Sequence, residues 1–138
     1  MADLEFVRFK KQLQAGGYRI TAPRMRMFGY LQNHPALTMK QLIELIDQHD
    51  QVTVYRNVDL FEKLGIITKV QIGRSVKIEL SDMFAHHHHH MACVNCGKVY
   101  VLKDNPAIER QIAKISQASG FKPTDHSLEI RGLCKNCK

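Results

Sequence analysis

From residue 4 to residue 64 the apolar side chains recur every three or four positions, and from residue 66 to residue 80 they recur every second one. The first regime predicts four helices. Leu4, Phe6, Val7, Phe9 and Leu13 are interleaved with charge and stop at Gly16-Gly17. Met25, Met27, Phe28 and Leu31 follow Thr21, with Pro23 in the first turn and a stop at Asn33-His34-Pro35. Thr38 reads as the N-cap of a third helix, striped by Leu42, Ile43, Leu45 and Ile46. The fourth runs over about 52–64, with Val54, Val58, Phe61 and Leu64 toward a core and Thr53, Tyr55, Arg56 and Asn57 nearer the opposite side, and Gly65 ends it. The second regime predicts a β-hairpin. Ile67, Lys69 and Gln71 alternate with Thr68, Val70 and Ile72, Gly73-Arg74 turns the chain, and Val76, Ile78 and Leu80 alternate with Lys77 and Glu79. Helices followed by a two-stranded wing make a winged helix, whose last helix enters the DNA major groove while the wing lies along the backbone. The pattern by itself also fits an α+β domain that binds no nucleic acid.

After Met83 the character shifts again. A strand over 94–102, a helix over 107–118 with Ile108, Ile112 and Ile115 on one stripe, and a returning strand over 127–133 are expected. The whole chain then reads as α+β: a winged-helix DNA-binding domain over 1–82 and a small α/β metal-binding dimerisation domain over 83–138. So few apolar residues in the second part would hardly bury a core, so a zinc clamp and a sheet shared across a homodimer are expected to supply what is missing. Two Cys-x-x-Cys pairs, Cys93/Cys96 and Cys134/Cys137, provide the clamp. Each pair presents two sulfurs to one ion from a tight turn, and together they close a tetrahedral shell with no open position, which is a structural zinc site. A disulfide framework would need an export signal, and the start MADLEFVRFK carries charge where the apolar core of one should be. No apolar run is long enough to span a membrane, which leads us to expect a soluble, cytoplasmic protein with reduced thiols. Twenty Lys and Arg against thirteen Asp and Glu give a net charge of +7, which favours a polyanionic partner without identifying it.

Five consecutive histidines, His86 to His90, run into the first cysteine pair. Lying inside the chain, they do not read as an expression tag. If the segment is extended, His86, His88 and His90 face one way and His87 and His89 the other, so one stretch can serve two metal sites. Imidazole suits zinc, iron, nickel and copper, and manganese to a lesser degree. His34, Glu79, Glu109 and His126 are further candidate ligands, each weak when taken alone.

Thr53-Val54-Tyr55-Arg56, the wing ending Ile78-Glu79-Leu80, the run HHHHHMACVNCGKV, the pair Glu109 and His126, and the closing CKNC together resemble the ferric uptake regulator family of bacterial metal-sensing repressors, over residues 17–137. The resemblance implies a non-enzymatic, homodimeric repressor that binds an A·T-rich palindrome of double-stranded DNA. Thr53, Tyr55 and Arg56 would lie on the recognition helix, with Tyr55 meeting thymine methyls or base edges and Arg56 a phosphate. Arg19, in Tyr-Arg-Ile-Thr-Ala-Pro-Arg, would reach the minor groove. Cys93, Cys96, Cys134 and Cys137 match the family's structural zinc site, and Glu79, His88 and His90 its regulatory site between domains. A further site in the dimerisation domain matches at His87, Glu109 and His126.

The chain departs from the family pattern in three places. His34 lies four residues before Thr38, where the family's ligand from this loop lies about two before the cap. His89 stands where the family commonly has Asp, which makes the further site richer in nitrogen and suits zinc, nickel or cobalt. Val101 takes the place of the acidic ligand of the peroxide-sensing branch, which counts against that chemistry. Glu79, a hard carboxylate where zinc sensors often place a Cys, favours Fe2+ or Mn2+ as the regulatory metal, with Zn2+ possible. A reading from another class is a metal-storage or metal-delivery protein that uses the histidine run and binds no specific DNA. A zinc hydrolase is disfavoured because the HExxH spacing is absent.

Overall fold

The computed structural model describes residues 2–34, 36–47 and 49–138, with the side chains of residues 2 and 3 excepted. It divides into two compact units, Met1–His86 and His87–Lys138. The expected helix stop at Pro35 lies outside the described residues.

Among the described residues, four helices build the first unit: α1 (Ala2–Ala15), α2 (Ala22–Asn33), α3 (Met39–Ile46) and α4 (Gln51–Lys63). Their starts follow from local chemistry. The Thr21 side chain accepts from the Arg24 amide, with Pro23 in the first turn of α2. Thr38 and Gln41 form a reciprocal capping box at α3. Asp50 caps α4 by accepting from the Thr53 amide at 3.2 Å. Hydrogen bonding by the Thr53 side chain first, then by its amide, with a smaller contribution from the positive charge of Arg56, holds the Asp50 carboxyl below its ordinary value. Gly65 leaves α4 in the left-handed conformation, φ 71°, where a side chain would be strained.

Residues 66–81 then form the hairpin β1 (Ile67–Ile72) and β2 (Ser75–Leu80), antiparallel, with Ile67 opposite Leu80 and Ile72 opposite Ser75. Leu37 adds one bridge to this sheet, exchanging two backbone hydrogen bonds with Ile78 at 3.0 and 2.6 Å. The simple inside-outside alternation expected for the wing is not kept. Ile67 and Ile72 are both buried though they fall on opposite faces, and Val76 is exposed. Ile67, Ile78 and Leu80 join the hydrophobic cluster of the helices, whereas Ile72, beside the turn, is buried outside that cluster, so burial in the wing does not follow the two-residue period.

That core is aromatic. Phe9 and Phe28 stack with ring centroids 4.3 Å apart, Phe61 meets Phe9 edge-on at 5.3 Å, and Phe84 meets Phe28 edge-on at 5.3 Å. Phe84 belongs to this core, and the first unit extends to His86, four residues past the boundary expected at 82. Val54, Val58 and Phe61 of α4 are buried as the helical period predicts, but Asn57, expected on the outer side, is buried too.

The second unit is a three-stranded sheet with one helix. Its strands β3 (His89–Cys93), β4 (Val99–Leu102) and β5 (Glu129–Gly132) lie in the order β4-β3-β5, with β3 antiparallel to β4 and parallel to β5. α5 (Pro106–Ala118) joins β4 to β5, capped by Asn105. The strand expected over 94–102 is in fact two features. Residues 94–96 turn the chain between β3 and β4, and only Val99 to Leu102 extends, because the first cysteine pair occupies the bend. Burial is thin here. Ala92, Cys93, His89 and His90 are the buried residues, while Ile115 of α5 is 65 % exposed and Leu133 53 %.

Truncating Phe61 to Ala should therefore lower the stability of the first unit by about 3–5 kcal/mol. Urea unfolding followed by helical circular dichroism measures this, and a loss under about 1 kcal/mol would contradict the assigned role of the aromatic stack.

Candidate metal centres and nucleic-acid interface

The cysteines close the second unit at one end. Cys93 ends β3 and Cys96 follows in the turn, where Gly97 (φ 76°) donates its amide to the Cys93 carbonyl at 3.0 Å. Beyond β5, Cys134 and Cys137 occupy a second turn, tied by Cys137 N to Cys134 O at 2.9 Å. All four are free thiols whose sulfurs lie within 4.8 Å of one another, with Cys96 Sγ and Cys134 Sγ at 3.8 Å. A tetrahedral zinc with Zn–S bonds of about 2.3 Å requires sulfur pairs roughly 3.8 Å apart, so the donor set fits that ion. The backbone favours thiolate here. The amides of Cys96 and Cys134 donate to Cys93 Sγ at 3.5 and 3.4 Å, and they lower that thiol to about 6. Cys134 is lowered too, first by the Asn136 amide. Cys137 goes the other way. A hydrogen bond from Asn95 pulls it down, but hydrogen bonding with Cys134, burial, and its contacts with Cys93 and Cys96 push it up to about 11. A metal ion would offset the cost of gathering these sulfurs.

A second cluster forms where the histidine run meets α5. His87 and His89 point to the same side, as period two requires, and reach Glu109 of α5 and His126 of the following loop. His89 Nε2 lies 2.7 Å from Glu109 Oε1, His126 Nε2 2.7 Å from Oε2, and His87 Nε2 3.4 Å from Oε1. His87 and His126 Nε2 are 3.0 Å apart. The hydrogen bond from His89, followed by the charges of His126 and His87, holds the Glu109 carboxyl below its ordinary value against the opposing effect of burial. Three imidazoles and a carboxylate at these separations are close to the roughly 3.3 Å edges of a tetrahedral shell with bonds near 2.0 Å, and they form a candidate ligand set for a borderline ion.

His88 and His90 leave on the other side, their rings 4.8 Å apart and edge to face. Both belong to the second unit, whereas Glu79, opposite Thr68 in the wing ladder, and His34 belong to the first. His34 sits at the C-cap of α2, with its Nδ1 2.8 Å from the Tyr30 carbonyl.

On the first unit, Tyr55 and Arg56 project from α4 as exposed residues and Thr53 is half-buried. Arg19, also exposed, precedes the cap of α2. Sequence reasoning missed the residue that joins these two elements. Arg24 donates through Nε to Asn57 Oδ1 at 3.2 Å and through Nη1 to the Arg19 carbonyl at 2.6 Å. One guanidinium thus ties the Arg19 segment to α4. The available signal was spacing rather than residue type, since Asn57 lies three residues after Val54 and four before Phe61.

A winged helix carrying an exposed Tyr-Arg pair, followed by a unit with a thiolate cluster and an imidazole cluster, is the build of a metal-binding, DNA-recognising regulator. Residues 15–131 match the model of the ferric uptake regulator family. The chain is 36% identical over 143 aligned residues to the ferric uptake regulation protein of Campylobacter jejuni, covering 98% of this chain and 89% of that one. It is also similar to the solved ferric uptake regulator of Vibrio cholerae, with TM-score 0.73, 30% identity, and coverage of 91% of this chain and 98% of the other. The regulator of Francisella tularensis, solved with iron, aligns with TM-score 0.72 and 27% identity over 88% of this chain and 95% of its own. The chain belongs to the ferric uptake regulator family.

Glu109→Gln should weaken metal binding at the second cluster by at least about tenfold while leaving the cysteine-bound ion in place. Competition titration with a chromophoric chelator, scored as equivalents of cobalt or zinc retained per chain, measures this. Retention of every equivalent at wild-type affinity would contradict the assignment.

Proposed function

We propose that this chain is a homodimeric, metal-responsive repressor of metal-homeostasis genes that works in the cytoplasm and binds A·T-rich palindromic DNA. The observation that carries the reading is the pairing, in one chain, of an exposed Thr53-Tyr55-Arg56 face on a winged helix with a histidine run whose alternate members serve different ligand sets. The relatives point the same way, since they are named as ferric uptake regulation proteins and one was solved with iron.

In this reading Tyr55 meets base edges, Arg56 a phosphate, and Arg19 the narrow minor groove. Arg24 keeps Arg19 and α4 in register. Cys93, Cys96, Cys134 and Cys137 hold a structural Zn2+. Glu79, His88 and His90, joined by His34, form the regulatory site, and His87, His89, Glu109 and His126 a further one. A divalent ion bound at the regulatory site, with Fe2+ or Mn2+ favoured and Zn2+ possible, supplies a charge that neutralises Glu79 and a coordination shell in need of several ligands. Glu79 closes the wing of one unit while His88 and His90 open the other, so they can satisfy that shell together only in one arrangement of the units. Metal binding thereby selects that arrangement, and a ligand shifts such an equilibrium by its differential affinity alone. A coupling of about 3 kcal/mol would raise DNA affinity on the order of a hundredfold. Two-fold symmetry then sets both α4 helices at half-site spacing. The exposed apolar residues Ile115, Ile130 and Leu133 of the second unit support a partner subunit there.

With its cysteine site filled, the protein should bind a palindromic operator on the order of a hundredfold more tightly when Fe2+ or Mn2+ is added, and Glu79→Ala should abolish that response without dissolving the dimer. Gel-shift titration at physiological salt measures both, and weak, sequence-blind binding indifferent to metal would favour storage or delivery instead. Arg56→Ala should weaken binding across all sequences and reduce the salt slope by about 1.

A further inference from the structure

The Arg24 side chain leaves α2 and reaches two other parts of the first unit at once. Its Nε donates to Asn57 Oδ1 at 3.2 Å and its Nη1 to the Arg19 carbonyl at 2.6 Å, while Cζ lies 5.8 Å from the centre of the Tyr18 ring. Asn57 is 7 % exposed, a polar side chain among the buried Val54, Val58 and Phe61 of α4. A buried amide needs a partner, and Arg24 supplies one.

The segment that carries Arg19 is pinned on both sides of that residue. Tyr18 donates its amide to the Leu13 carbonyl at 3.0 Å, Gly17 turns the chain at φ 81°, and the Thr21 side chain caps α2. Arg19 therefore combines a braced backbone with an exposed side chain. Arg24 itself is half-buried, and two of its donors are committed to acceptors within the protein. Its geometry is that of a brace.

We propose that Arg24 is a positioning residue for sequence discrimination: without touching DNA, it holds the Arg19 backbone at a set distance from α4, so that the Arg19 side chain meets the minor groove while α4 occupies the major one. The proposal deepens, and rests on, the reading of Arg19 and α4 as DNA-contacting elements. The minor groove is about 6 Å wide, and in A-tracts it is narrower still, with a potential that favours a guanidinium. An Arg19 released from its brace can still find phosphates, which carry no sequence information, but it loses its hold on the groove. Arg24 thereby governs preference more than total affinity. Its charge is not what suits it to the task. A lysine would keep the charge, yet a point donor on a flexible stem cannot hold the Asn57 oxygen and the Arg19 carbonyl in one rigid fork.

The test uses the full-length protein with its cysteine site filled with zinc and Mn2+ added. Its probes are an A·T-rich palindromic duplex selected by the wild type from a random pool, and the same duplex with G·C pairs placed where the minor groove faces Arg19. Fluorescence anisotropy gives both affinities across a salt series. The wild type should prefer the first duplex by at least about fivefold, and Arg19→Ala should lose that preference. Arg24→Lys should lose it as well, with binding to mixed-sequence DNA changed by less than about twofold and the salt slope kept, because the net charge is unaltered. Adding Arg24→Lys to Arg19→Ala should change the preference no further, since one residue acts through the other. If Arg24→Lys keeps the wild-type preference, or weakens every duplex alike, the proposal is overturned while the reading of Arg19 stands. If Arg19→Ala itself keeps the preference, that reading fails and the proposal falls with it. Should Arg24→Lys not fold by circular dichroism, Asn57→Leu removes the other end of the brace at similar volume. It should reduce the preference in the same direction, and an undiminished preference there would overturn the proposal.

Discussion

A sheet of three short strands and a single helix cannot bury enough apolar surface to hold itself together, and this constraint governs the second unit. Its buried residues are an alanine, a cysteine and two histidines, which leaves polar chemistry to do what a hydrophobic core does in the first unit. The four cysteines answer that need by topology. Cys93 ends the central strand and Cys134 follows the strand parallel to it, so one ion at their convergence would clamp 87–96 to 129–137 across the whole length of the intervening chain. The backbone prepares the sulfurs in advance, with two amides aimed at Cys93, so the cost of creating charge there is partly met before any ion arrives.

Once β3 is held, the histidine run acquires direction. Strand geometry sends His87 and His89 toward Glu109 and His126 and sends His88 and His90 the other way. The same five residues would have no such sorting in a helix or a flexible linker. The first unit shows a parallel economy, where the buried Asn57 and the Arg24 guanidinium relate the Arg19 segment to α4 through two hydrogen bonds. Stability in the two units thus comes from different physics: stacked and edge-on aromatics in one, ligand chemistry in the other.

Much of this was legible in the sequence because its signals are local. Thr21, Thr38 and Gly65 mark helix ends through hydrogen bonds and backbone conformations that involve only near neighbours, and period 3.6 located Val54, Val58 and Phe61 correctly. The family resemblance carried by the TVYR motif, the histidine run and the cysteine pairs agreed with the family match over residues 15–131. What escaped depended on tertiary partners. Asn57 looked like a surface residue until Arg24 was seen beside it, 33 positions away in sequence. The strand expected at Val94 begins only at Val99, because the cysteine turn overrides β-propensity. Nothing in the alternation of the wing announced that Ile67 and Ile72 would both be buried, since burial depends on tertiary packing and only Ile67 of the two joins the helical core.

The account turns on the cysteine-bound ion as the element that holds the second unit in its fold. Amide hydrogen exchange on the zinc-loaded protein and on the same protein stripped by a strong chelator under reducing conditions tests this directly. Stripping should erase protection across β3, β4 and β5 while the amides of α1, α2 and α4 keep theirs. Undiminished protection throughout 87–138 in verified zinc-free protein would show that the sheet stands without its clamp, and would contradict the account.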